Sequence, residues 1–246
     1  MTRAEEFRLR LFTVDFLRMV KQTMTYAALE RLTGLPTSVL NRYVKGQVIP
    51  LKKRAEELLR VLRRSLGDVA LDFVVVDEET GFIDVEGAVS NPFVRRMFCG
   101  WVVEKVTGGQ VNAVLALNGD GAVLGAEISS VLNVPLIRAR EKRRAGGAYY
   151  TGVVRRGWRS EEIYVQKSLL KKLRKKGVKK SAVIVVEGLI RTGATVSALC
   201  DIAEKAGFVV TGVFSLFGVK GWEKAPAIRA LEEKGVPCYV AHLIWS

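Results

Sequence analysis

VIVVEGLIRTGATVSAL, Val183 to Leu199, decides how the larger part of this chain is read. An apolar β-rich run, Val183 to Val186, leads into a polar turn holding Gly188 and Gly193, and a helix is expected from Thr195. Backbone N–H groups at a helix N-terminus, joined by hydroxyls, bind a phosphate monoester. Thr192 and Thr195 supply the hydroxyls, Gly193 and Ala194 keep the approach open, and Arg191 adds positive charge. The spacing excludes a GxxxxGK[ST] loop and a GxGxxG turn. The strand ends in a single carboxylate, Glu187, followed by Gly188.

Outward from this stretch, strand-like and helix-like runs alternate from Val69 to the end. VALDFVVV, NPFVRRMFCGWVVEKV, VNAVLAL, AVLGAEISSVL and VPLIRA precede it. FVVTGVFSLF, EKAPAIRALEEKG and VPCYVAHLIW follow it. Such alternation predicts an α/β domain with a mostly parallel sheet covered on both faces, assigned to residues 67–246. A second bend, ALNGDGAVLGAEIS (Ala116–Ser129), places Asn118, Gly119, Asp120 and Gly121 between a strand and a helix. Further on, RAREKRRAGGAYYTGVVRRGWR (Arg138–Arg159) carries eight bases and one acid.

These pieces resemble the type I phosphoribosyltransferases over most of Val69–Ile244. In that family an apolar strand ends in two acids, and a Thr-Gly-small-Thr loop follows. The resemblance implies that Arg191, Thr192, Gly193, Ala194 and Thr195 clasp a 5′-phosphate and that Glu187 takes a ribose hydroxyl. Gly188 stands in place of the second acid, which implies weakened ribose and Mg²⁺ contacts. Asn118 to Gly121 correspond to the diphosphate loop, where Asp120 brings like charge. The basic stretch corresponds to the flexible hood that closes over the reacting groups. From the residues alone it equally fits a solvated β-ribbon or a second DNA-contacting patch.

The first 66 residues read differently: the pattern is helical throughout. They hold 4 Lys and 10 Arg against 6 acids, a net +8 of the chain's +14. Charge concentrated in this way points to a polyanion, most often nucleic acid. In TYAALERLTGLPTSVLNRYVKGQVIP (Thr25–Pro50), a short helix over Tyr26–Leu32 is followed by Gly34 for a tight turn. Thr37 is the expected cap of the next helix. Leu40, Tyr43 and Val44 form its buried face. Thr37, Ser38, Asn41, Arg42 and Lys45 form a polar, cationic face suited to a major groove. The segment resembles the Cro/repressor-like helix-turn-helix domains, with flanking helices near Glu5–Gln22 and Leu51–Leu66. Glu30 falls where such motifs usually carry a small residue. A helical dimerisation or cap module is the alternative.

IYVQKSLLKKLRKKGVKKSAVIVVEG (Ile163–Gly188) adds a Lys-Ser-Leu-Leu-Lys sequence before the phosphate strand. It resembles the purine-operon repressors and archaeal regulators of the same domain order, which use the transferase fold as a sensor. The resemblance implies a transcriptional regulator of nucleotide metabolism. It would act as a homodimer on double-stranded DNA and respond to phosphoribosyl diphosphate or a nucleotide. No catalytic residue and no protein-held metal is assigned; Mg²⁺ is expected only alongside a diphosphate ligand. An active phosphoribosyltransferase on orotate or a purine, with an added DNA-binding domain, is the alternative, and binding to structured RNA is a third reading. Cys99, Cys200 and Cys238 lie far apart in apolar contexts, as buried free thiols do in a reducing cytoplasm. His242, the one histidine, sits in a strand-like run and reads as structural. No apolar run approaches the ~18 residues that span a membrane.

Overall fold

The computed structural model describes residues 3–22, 24–106, 109–144, 146–173 and 181–244. Helices α1 (Arg3–Lys21), α2 (Tyr26–Thr33), α3 (Thr37–Val44) and α4 (Lys52–Leu71) come first. The Thr25 hydroxyl accepts the Ala28 N–H at 3.2 Å and starts α2. Gly34, at φ 67°, ends it in the left-handed conformation that lets α3 turn away. Leu17, Val20, Leu29, Leu40, Leu58, Leu59 and Leu62 are buried together between these helices. Two arginines of α1 stitch the module: Arg18 Nε donates to the Val44 carbonyl at 2.7 Å, and Arg10 Nε to the Pro50 carbonyl at 2.8 Å.

The expected boundary near Ser65–Gly67 falls inside α4, which continues to Leu71. VALDFVVV is therefore not a core strand. The apolar stripe of α4 (Ala55, Leu58, Leu59, Leu62) is prolonged by the buried Ala70, so helical packing overrides the β-propensity of the valines. Only Val75–Asp77 forms a strand, β1, in an exposed antiparallel hairpin with β2 (Phe82–Asp84). Helices α5 (Glu86–Ser90) and α6 (Pro92–Val106) lead into the sheet.

The sheet domain runs β3 (Ala113–Leu117), α7 (Asp120–Leu132), β4 (Leu136–Ala139), β5 (Tyr149–Arg156), β6 (Arg159–Gln166), α8 (Lys167–Leu173), β7 (Ser181–Ile190), α9 (Ala194–Lys205), β8 (Phe208–Val219), a 3-10 turn (Trp222–Lys224), α10 (Pro226–Glu233) and β9 (Cys238–Ile244). The described residues form a five-stranded parallel sheet of order β4-β3-β7-β8-β9. Strands β5 and β6 pair separately as an antiparallel hairpin. The lysine-rich 174–180 lies outside the described residues.

Alternation along the strands sorts the core into two layers. Ala113, Leu115, Val183 and Val185 face α9, α10 and the β5–β6 hairpin. Val114, Ala116, Ile184 and Val186 face α6 and α7, and this layer is continuous with the buried side chains of the helical module. Two glycines permit the close docking. The Phe12 ring of α1 lies directly on Gly100 of α6, and a Cβ on Gly67 of α4 would lie 3.0 Å from His242 Nδ1 of β9. His242 also packs beside Phe217.

Candidate functional site

Strand β7 stays paired with β8 as far as Ile190↔Gly218. Gly188 therefore lies within the strand and not in the polar turn the sequence suggested; the apolar Leu189 and Ile190 extend the ladder. The turn proper is Arg191–Gly193, and α9 begins at Ala194. Gly193 caps the helix at φ 75°, and a Cβ there would lie 2.7 Å from Ile228 Cδ1. Glycine is needed twice over, for conformation and for space. The Thr192 hydroxyl accepts the Ala194 N–H at 3.4 Å.

Glu187, Arg191, Thr192, Gly193, Ala194 and Thr195 line one cavity of about 430 Å³. Phe82 and Ile83 of β2 and Gly157 of the β5–β6 turn complete its wall. The first N–H groups of α9 have no acceptor within the helix and carry its positive dipole end. With two hydroxyls and a guanidinium around them, the arrangement can hold an anion the size of a phosphate.

The second bend divides between two sides. Asn118 and Gly119 open onto a separate groove of about 790 Å³ along α7 and β4, shared with Arg95 and Arg138. Asp120 and Gly121 instead press on β7. A Cβ on Gly121 would lie 2.8 Å from the Val186 carbonyl oxygen. A Cβ on Gly188 would lie 2.7 Å from Asp120 Cβ and 3.5 Å from Asp120 Oδ2. The side-chain space that Gly188 leaves is thus occupied by an acid from the other loop. Beside it, the half-buried Glu187 accepts the Gly188 N–H at 2.9 Å. Burial raises the Asp120 pKa above the ordinary carboxylate value, and the negative charges of Asp84 and Glu86 raise it further. Asp84, Glu86, Phe82, Ile83 and Gly157 had no recognisable motif; they reach the site from the β1–β2 hairpin, the start of α5 and the β5–β6 turn, all distant in sequence. Among the described residues, no group of three His, Cys, Asp or Glu side chains is arranged to hold a metal ion.

The five expected DNA-facing residues of α3 separate into two sets. Ser38, Arg42 and Lys45 are exposed and share one face at helical spacing. Asn41 is half-buried, and its Oδ1 accepts the Tyr26 hydroxyl at 2.9 Å. Thr37 does not cap α3 with its own side chain. Its N–H and hydroxyl both donate to Glu30 Oε2, at 3.3 and 2.6 Å. The residue that looked out of place at 30 therefore supplies the cap, reaching forward from α2 to the start of α3.

The basic stretch is divided: Arg138 belongs to β4, Arg140 bridges to Tyr164, and only Tyr149–Arg159 enters the β5–β6 hairpin, which is docked along α9. A Cβ on Gly152 would lie 2.6 Å from the Ala198 carbonyl oxygen, and Lys205 Nζ donates to the Thr151 carbonyl at 3.0 Å. Val154, Ile163 and Val165 are buried beneath it. Cys99, Cys200 and Cys238 are free thiols. Burial is the main cause that pushes Cys99 and Cys238 up to about 12 and raises Cys200 as well, so all three stay protonated at neutral pH. Among the described residues no helix is long and apolar enough to cross a membrane.

Comparison with known proteins follows this division of the molecule. The helix-turn-helix family matches residues 17–69. The adenine phosphoribosyltransferase of Treponema denticola is 27% identical over 138 residues, 56% of this chain and 69% of that protein. The adenine phosphoribosyltransferase of Caenorhabditis elegans is 26% identical over 153 residues, 60% and 79% of the two chains. Among solved structures, the Thermoanaerobacter pseudethanolicus adenine phosphoribosyltransferase superposes with a TM-score of 0.59 at 14% identity, covering 72% of this chain and 99% of that one. The Trypanosoma brucei adenine phosphoribosyl transferase, solved with AMP, pyrophosphate and ribose-5-phosphate, gives 0.57 at 21% identity, covering 74% and 78%. The chain thus joins an N-terminal helix-turn-helix domain to a C-terminal domain with the type I phosphoribosyltransferase fold.

Proposed function

We propose that this protein is a DNA-binding transcriptional regulator whose transferase-like domain senses a phosphorylated ribose ligand without consuming it. It works in the cytoplasm as a homodimer on double-stranded DNA. The observation that carries this reading is the meeting of Asp120 with Gly188. Transfer from a ribosyl diphosphate requires positive, preorganised groups around the departing diphosphate. Here the loop beside the phosphate cradle presents a carboxylate, already crowded by Asp84 and Glu86. The cradle itself keeps its amides, hydroxyls and Arg191. Holding a phosphate is favoured, and helping a diphosphate leave is not.

Sensing makes smaller demands. A ligand need only bind one arrangement of the protein better than another, and about 1.4 kcal/mol of difference shifts the balance tenfold. The helical domain shares its buried core with one face of the sheet, so a change at β7 and α7 has a packed route to α1 and α4. On the DNA side, Arg42 and Lys45 supply charge and Ser38 a hydrogen-bonding group, while Asn41 and Thr37 hold α3 in place.

Titration of the protein against duplex DNA over a salt series tests the reading. Affinity should fall steeply with salt, and ribose 5-phosphate, phosphoribosyl diphosphate or a nucleotide should change it. Arg42→Ala should weaken specific binding by about tenfold, since a good base contact contributes ~1–3 kcal/mol. Absence of duplex binding with and without these ligands would sink the proposal. A second reading, active phosphoribosyl transfer to a purine base, is favoured by the similarity to adenine phosphoribosyltransferases. Diphosphate release from phosphoribosyl diphosphate, Mg²⁺ and adenine would establish it in place of the first.

A further inference from the structure

Positive charge in this chain is gathered in two places. One is the helical module. The other is residues 138–172, which hold 11 Lys and Arg against 3 acids, a net +8 in 35 residues. Arg140 bridges Tyr164, so the Arg138–Arg144 run lies along the open side of the β5–β6 hairpin. Alternation gives that hairpin two faces. Gly152, Val154, Ile163 and Val165 are buried towards α9. Tyr149, Val153 and Arg155 of β5 and Tyr164 of β6 take the other face. At the tip, Gly157 turns the chain at φ 61°, and Trp158 is 87% exposed, an unusual position for a large aromatic side chain. Gly157 lines the Arg191–Thr195 cavity, whereas Trp158 is not among its lining residues. The Arg159 guanidinium lies 4.6 Å from the Trp158 ring centroid, and the Arg143 guanidinium 4.6 Å from that of Tyr164. Tyr149 meets Tyr164 edge to face at 6.3 Å, and Glu162, also on this face, accepts the Tyr164 hydroxyl.

Aromatic rings and cations thus alternate along roughly 20 Å of ribbon between Tyr164 and Trp158, at the ordinary strand rise. A partner that matches this pattern carries flat groups and negative charges in alternation. Single-stranded nucleic acid does: its phosphates meet Arg and Lys, and its unpaired bases stack on aromatic faces. Duplex bases are already stacked on one another and would leave the rings unused. An anionic membrane would take up the tip and leave Tyr149 and Tyr164 idle. The surface is also set apart from α3. The helical module shares its core with the α6–α7 layer, whereas the hairpin packs on the opposite face of the sheet. We propose that the outward face of the β5–β6 hairpin binds single-stranded nucleic acid. Trp158 and Tyr164 are its stacking platforms, and Arg143, Arg155 and Arg159 meet the phosphates. It is a second nucleic-acid surface, distinct from the duplex-reading face of α3.

Fluorescence anisotropy of the whole protein with labelled oligouridylate and oligodeoxythymidylate of about 16 nucleotides tests this. Wild type should bind both, since stacking tolerates any base, and affinity should fall as salt rises. Trp158→Ala should weaken both about tenfold, and Trp158→Phe should restore most of the loss. Arg155→Ala combined with Arg159→Ala should flatten the salt dependence. Binding should quench tryptophan fluorescence in wild type and less so in Trp158→Phe. Arg42→Ala, on α3, should weaken duplex DNA binding and leave both oligomer affinities unchanged. The proposal is overturned if wild type binds neither oligomer at low salt, or if Trp158→Ala leaves both affinities intact. It is overturned equally if Trp158→Ala weakens duplex binding by the same factor. If that variant alters only binding to phosphatidylserine vesicles, or only the molecular mass by light scattering, the tip is a membrane or subunit contact and the proposal also fails.

Discussion

Neighbouring strands β3 and β7 end in turns built to the same plan. Each closes on a glycine at positive φ, Gly119 at 114° and Gly193 at 75°, and each opens a helix at the next residue. Their first helical residues differ. Helix α9 starts with Ala194, Thr195 and Val196, which line a cavity, whereas α7 starts with Asp120. An acid at a helix N-terminus is favoured by the dipole, typically by ~0.3–1 kcal/mol. At Asp120 that gain is outweighed, because burial and the charges of Asp84 and Glu86 raise its pKa. One turn opens onto a cavity, and the other carries a carboxylate of its own. Backbone geometry creates the capacity for anion binding; a single side chain decides whether that capacity remains available.

Substitutions can break this contrast. Gly193→Val should have the largest effect. Left-handed backbone and the clash with Ile228 together should destabilise the fold by on the order of 3 kcal/mol and abolish inorganic phosphate binding. Thermal melts and calorimetry would show both. Next, Gly188→Ala should cost about 1–3 kcal/mol, since its Cβ collides with Asp120. In an Asp120→Gly background most of that loss should disappear, and a double-mutant cycle on melting data measures the coupling. Third, Asp120→Ser should make the β3–α7 turn resemble its neighbour. Inorganic diphosphate affinity should then rise several-fold, measured by calorimetry, with phosphate affinity little changed.

The smallest effect concerns pH. A carboxylate whose folded pKa lies above its unfolded value near 3.8 makes the native state the better proton binder. The contribution of Asp120 to stability is therefore fully present below 3.8 and is lost as pH rises through the raised folded value. Asp120→Asn should melt a few degrees higher than wild type at pH 7, and this advantage should vanish in melts below pH 3.8.

Much of the fold was legible because its signals are local. Alternation along Val183–Val186 and Ala113–Leu117, glycines at turns and the helical period of residues 3–62 each depend on near neighbours. What escaped depends on residues brought together by the sheet. Nothing in the sequence around Gly188 reveals that Asp120 fills its empty side-chain space. VALDFVVV was ambiguous because two local tendencies compete, helical continuation and β-branching, and burial of Ala70 decides between them. Thr37 has the residue type of a cap, yet Glu30 reaches it across the turn with a stronger, charged acceptor. The Arg191–Thr195 turn could be located from its own residues. Phe82 and Gly157, which enclose it, could not, since they arrive from two hairpins without a motif.

Helix α4 has a consequence for how DNA would be measured. A reading head on a slack tether can tilt and stretch to suit half-sites at various separations. In this protein one unbroken helix, ~30 Å long at its ordinary rise per residue, starts beside α3 and finishes against β9 with Gly67 on His242. It behaves as an axle and not as a cord. If two copies bind one duplex, as proposed above, the separation of their α3 helices is fixed by how the copies join. The pair would then gauge its operator as fixed callipers do, and adding a single base pair between half-sites would rotate one of them out of reach.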